Sequence, residues 1–163
     1  MADTGWLRPS NSYGWENTEA VLNGSEEEAT QPKTTSVLRV GGFDFSTVKP
    51  HDIIDGVEVK ITKRGTNLFT MDGTVDNHLI LTSVKSGASI DHSLSATLWD
   101  EEHTEVIYGS PTDLWEFNNL KPYMLRDDSF NVEIRADIHE EQYEALIKEV
   151  FIKVHYHDVF GRY

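Results

Sequence analysis

The chain has 163 residues, enough for one domain with a core that needs no covalent staples. It has no cysteine, which excludes disulfides, thiolate metal sites and a cysteine nucleophile. A formal charge of −14 repels phosphate backbones, so no nucleic-acid partner is expected, and no run of about 18 apolar residues offers a membrane span.

Residues 1–35 read as an N-terminal arm or lead-in. They are rich in Gly, Ser, Asn, Thr and Glu, show no sustained period, and carry three aromatics, Trp6, Tyr13 and Trp15. Glu26-Glu27-Glu28 reads as part of a solvated loop. The first residues lack the basic and apolar regions of a secretory signal, so synthesis in the cytoplasm is expected.

From residue 36 the pattern becomes that of strands, and residues 36–163 are predicted to form one domain. Residues 36–45 carry Val37, Leu38, Val40, Phe43 and Phe45, with Gly41-Gly42 marking a bulge or a close backbone approach. Residues 56–62 alternate Val57, Val59 and Ile61 against Glu58, Lys60 and Thr62, the mark of a half-buried antiparallel strand. Further strands are predicted over 75–84, 94–99 and 104–108, with a turn at Asp72-Gly73 and an aromatic-rich connection over 112–123. The last two are the most regular. Residues 130–138 alternate without a break, and 146–156 alternate with one interruption at Lys148. No stretch shows the 3.6 period of a core helix. Seven or eight short strands joined by turns predict an all-β fold, an antiparallel, jelly-roll-like β-sandwich with an irregular N-terminal arm.

Chemistry-bearing groups are few. His155 and His157 stand two apart and would share a strand face, but no closing ligands accompany them, so surface histidines and no metal are expected. The run 72–77 departs from the calcium-loop spacing and reads as a hairpin turn. Ser89, Asp91 and His92 are too close in sequence to be assembled as a triad. The carboxylates fall in turns and on polar strand faces, so neither catalytic nor cofactor-binding residues are assigned and no enzyme is expected. The aromatics remain. Trp6, Tyr13 and Trp15 are assigned to partner binding, where Trp and Tyr are enriched. Trp99, Trp115 and Tyr123 form the alternative, a stacking platform for glycans on one end of the sandwich.

Several motifs follow one another along the chain. Trp15-Glu16-Asn17, Ala20 and Asn23-Gly24 come first, then Ser36-Val37-Leu38 running into Gly42-Phe43-Asp44-Phe45. Ile54-Asp55-Gly56-Val57-Glu58-Val59 follows, then Tyr108-Gly109 and Asp113-Leu114-Trp115, and finally Val150, Ile152, Val154 and Tyr156. This order resembles a recurrent β-sandwich domain of tailed-bacteriophage virion structural proteins. Two features depart from that pattern: Thr47-Val48-Lys49-Pro50 replaces the usual Pro-rich turn, and Glu26-Glu27-Glu28 is an insertion. The resemblance implies a non-enzymatic role as a capsid decoration or tail-associated protein. It also implies residence in the virion and, as partners, the major capsid protein or tail proteins. A small homo-oligomer is expected on such a symmetric lattice.

Overall fold

The period-two pattern of residues 56–62 is the middle of a longer strand in the computed structural model. That structure describes residues 2–24, 27–32, 36–65, 74–83, 87–89, 99–117, 119–138 and 144–162. In chain order the described elements are β1 (Ala2–Asp3), β2 (Asn11–Tyr13), α1 (Ala20–Asn23), β3 (Ala29–Thr30), β4 (Leu38–Gly41) and β5 (Ile53–Gly65). There follow β6 (Thr74–Ser83), β7 (Gly87–Ala88), β8 (Thr104–Gly109), α2 (Pro122–Leu125), β9 (Asn131–Ile138) and β10 (Ala145–His157). The strand expected over 94–99 and the Asp72-Gly73 turn fall largely or wholly outside the described residues.

Two antiparallel sheets pack as a β-sandwich. The first has the order β1-β10-β5-β8, with β3 also on β10, and the second has the order β2-β4-β9-β6-β7. The longer strands β4, β5, β6, β8, β9 and β10 alternate between the sheets, so most connections carry the chain across the core. Alternation on each strand then supplies the interior. Val57, Val59 and Ile61 of β5 and Val150, Ile152 and Val154 of β10 are buried on one side. Leu38, Val40, Leu79, Leu81, Val132 and Ile134 face them from the other. Burying each such side chain stabilises by about 1.5–3 kcal/mol. Phe43, Phe45 and Phe130 extend this core, with ring centroids 5.8 and 5.7 Å apart along the series.

The interruption at Lys148 has a geometric cause. Register shifts between Ile147 and Glu149, leaving Lys148 as the extra residue of a bulge, after which the alternation resumes. Gly41 is a close approach, since a Cβ there would stand 2.8 Å from the Phe130 carbonyl.

Among its described residues the lead-in holds only two- and three-residue strands and a single helical turn, as its aperiodic sequence predicts. Position gives it a role in the fold. The N–H groups of Thr4 and Leu7 donate to the carbonyls of Val154 and Ile152, and the N–H of Gln31 donates to that of Ala145. It thereby runs along the edge of β10 that β5 leaves open, an edge that would otherwise be a template for pairing with another chain.

Candidate functional site

Between Thr4, paired with Val154, and Leu7, paired with Ile152, the lead-in has two residues where β10 has one, Lys153. This is a bulge. Gly5 takes φ +69, a conformation that side chains rarely adopt, although a Cβ there would have open space. The Thr4 hydroxyl bonds the Gly5 carbonyl at 2.8 Å and accepts from the N–H of Val154 at 3.1 Å. The extra residue puts Trp6 over the outer face of the first sheet.

There Trp6 meets two ammonium groups. Lys153 Nζ lies 4.4 Å and Lys60 Nζ 4.5 Å from the indole centroid. Lys60 is also 5.0 Å from the Phe151 ring, which Arg8 approaches at 4.7 Å. Arg8 is anchored by Glu149 at 3.3 Å, whereas among the described residues neither lysine has a carboxylate within ion-pair distance. Glu58 stands opposite Lys153 in the ladder but gives its carboxylate to His155 Nε2 at 2.6 Å. The result is a cation-rich aromatic patch on an acidic protein.

The other sequence-assigned residues go elsewhere. Tyr13 is 49% exposed, but it belongs to the outer face of the second sheet, where the Arg39 guanidinium lies 5.9 Å from its ring. Trp15 is a core residue. Its indole N–H donates to the Ser36 carbonyl at 3.0 Å and its ring is part of the buried core, 7% exposed, so it offers almost no surface to a partner. The glycan platform is likewise not assembled. Trp115 is fully buried, donating to the Val57 carbonyl at 2.9 Å, and Trp99 is buried too, leaving Tyr123 alone exposed. A sugar needs an accessible ring face, and two of the three rings are inside.

Trp99 covers a group that the sequence reading missed. The alternation of Val57, Val59 and Ile61 continues to Lys63, so its side chain points into the sandwich. Lys63 Nζ donates to the Tyr108 hydroxyl at 2.6 Å and sits 4.5 Å from the Trp99 ring centroid. Burying an ammonium is costly, and the hydroxyl and the ring faces offset part of that cost. The signal was present: period two extends one step past the predicted strand end.

His155 and His157 share the outer face but do not converge on one ion. His155 is 8% exposed, less solvated than expected, and each ring has its own acid, Glu58 for His155 and Asp55 for His157 at 2.8 Å. Another histidine, His51, meets the buried Asp52 and Asp158 with the three ligand atoms within 4.8 Å of one another. A cation is already there. The Arg162 guanidinium bonds Asp158 and reaches His51 Nε2 at 3.4 Å. Arg162 and, more weakly, the N–H of Phe160 hold the Asp158 carboxyl below its ordinary range against the opposing effect of burial. The arrangement pins the turn that presents Val159 and Phe160.

Glu28 likewise leaves the solvated run in which the sequence places it. Arg64 grips it through two bonds, at 2.7 and 2.8 Å, and His103 approaches at 2.7 Å. Burial pushes the Glu28 carboxyl up, but the bonds and charges of Arg64 and His103 together outweigh that push and hold it below its ordinary value. The carboxylate ties the lead-in to β5 and to the loop before β8. Of the calcium-like run 72–77, Asp72 and Gly73 lie outside the described residues and the other four open β6, pairing with β9; the Ser-Asp-His run lies outside apart from its first residue. Ser89 is described, and its hydroxyl accepts from the N–H of Leu81 at 2.9 Å.

Fold and surface together define an antiparallel β-sandwich carrying one cation-rich aromatic patch among its described residues. Compared with known proteins, the chain matches no family model and no curated protein sequence.

Proposed function

We propose that the chain is a non-enzymatic structural protein of a tailed-phage virion that docks on the capsid or tail lattice, most simply as a capsid decoration or cement protein. The ordered motifs of the sequence motivate this reading. The observation that carries it is Trp6, a large aromatic fixed over a sheet face by backbone bonds on both sides. Rigid aromatic anchors of this kind lose little conformational entropy on binding and contribute disproportionately at interfaces. The carbohydrate-binding alternative is weaker, because two of its three rings are buried.

Immunogold electron microscopy of particles from a lysate containing this protein is the direct test. Regular labelling of heads is the expected result, and labelling at one pole or tip moves the protein to the neck, tail or baseplate. Protein found only free in the lysate, with purified particles containing none by mass spectrometry, overturns the virion reading.

A further inference from the structure

We infer that the patch of Trp6, Arg8, Lys60, Phe151 and Lys153 receives an acidic polypeptide segment of the partner. This inference rests on the docking reading above and names the chemistry of the surface that is met. Carboxylates of the segment seat against Lys60 and Lys153, and an apolar side chain covers Trp6.

Charge is the first argument. The chain has 28 acidic residues and 14 Lys and Arg, so an exposed cation readily finds an anion in its own chain. Arg8, Arg39 and Arg64 do so. Lys60 and Lys153 instead converge on one indole with no carboxylate in reach among the described residues. The carboxylate that the ladder places opposite Lys153 is committed to His155. Two ammonium groups near one ring repel each other, and an arriving anion relieves that repulsion.

Construction is the second argument. The bonds of Thr4 and Leu7 to β10 fix Trp6 before any partner arrives, so docking orders few side chains. Scale is the third. Two lysines beside an Arg8 already paired with Glu149 suit a few carboxylates on one segment, whereas a nucleic acid or an anionic bilayer brings a dense field that the net charge of −14 opposes. The same long-range repulsion disfavours a second copy of this chain as the occupant.

The test uses the full chain and a glutamate-rich peptide containing one phenylalanine. Of four tryptophans, Trp15, Trp99 and Trp115 are buried, so binding at the patch is read from Trp6 emission. Saturable binding is expected, weakened by added salt and weakened about tenfold or more in the Lys60→Gln/Lys153→Gln double variant. Lys121→Gln, at an exposed position away from the patch, leaves it unchanged. Absence of a saturable response, or equal affinity in the double variant, overturns the inference. So does an equal response to oligothymidylate or to phosphatidylserine vesicles. Self-association in sedimentation that the double variant loses assigns the patch to a second copy and overturns the partner named here. Particles separate the two readings: a double variant that still decorates them fully overturns the acidic partner but leaves docking intact. Failure of the unmodified chain to decorate particles removes docking, while the peptide titration still decides the chemistry of the patch.

Discussion

Trp6 and Trp15 share one short lead-in yet face opposite ways. Gly5 at φ +69 turns Trp6 outward onto two lysines. Trp15 turns inward, 7% exposed, and satisfies its indole N–H on the Ser36 carbonyl. Composition separates neither, because burial of a loop aromatic is decided by a partner far away in sequence. Trp115 is the extreme case, holding φ +55 and bonding Val57, with the neighbouring Gly109 so close that a Cβ would stand 2.2 Å from the Val57 carbonyl. Substitution distinguishes the two lead-in residues. Trp15→Ala leaves a cavity and an unpaired carbonyl, and it is expected to cost about 3–5 kcal/mol in urea unfolding. Trp6→Ala removes a half-buried ring and is expected to cost about 1 kcal/mol or less. Equal losses would make Trp6 a core residue and remove it as a docking anchor.

At the scale of elements, alternation made β5, β9 and β10 legible. Their cores came through in the right phase, because a one-residue slip would expose every inward Val and Ile. What alternation does not carry is a substitute for backbone. β4 pairs with β9 only from Asn131 to Ile134, and beyond that point the Gln31 side chain takes over. Its amide oxygen accepts from the N–H of Ala136 at 2.9 Å and its amide nitrogen donates to the carbonyl of Ala136 at 3.1 Å. Meanwhile the backbone N–H of Gln31 bonds Ala145 on the other sheet, so one residue stitches the two sheets together. Nothing in the local sequence marks a lone Gln before a Pro for this task. Gln31→Ala is expected to lower unfolding free energy by about 2–4 kcal/mol, because two buried backbone groups lose their partner. Gln31→Glu keeps the acceptor but loses the donor, and is expected to be similarly costly. A loss under about 0.5 kcal/mol for both would mean that water replaces the amide, and the stitch would then contribute nothing.

Over the whole molecule, two electrostatic effects oppose each other, and salt separates them. An excess of 14 negative charges repels itself over distances longer than any ion pair, which destabilises the compact state. The exposed ion pairs act the other way but contribute about 0–1 kcal/mol each. Several here, such as Glu28 with Arg64 and Glu133 with Arg39, are partly buried and so are screened less. Self-repulsion therefore dominates the response of folding to salt, and raising salt from about 0.01 to 0.15 M, which shortens the screening length from about 30 to 8 Å, is expected to raise the melting temperature. Docking responds in the opposite sense. Lys60 and Lys153 attract a partner's carboxylates through the same solvent, so the same salt step weakens attachment to particles in a sedimentation assay. It also removes most of the difference between the unmodified chain and the Lys60→Gln/Lys153→Gln variant. Opposite signs follow because one response sums the charge of the whole surface and the other reads a local exception to it. If melting and attachment both strengthen with salt, contact is made through apolar surface, for instance around the 75% exposed Phe160, and the cationic patch is not the docking face.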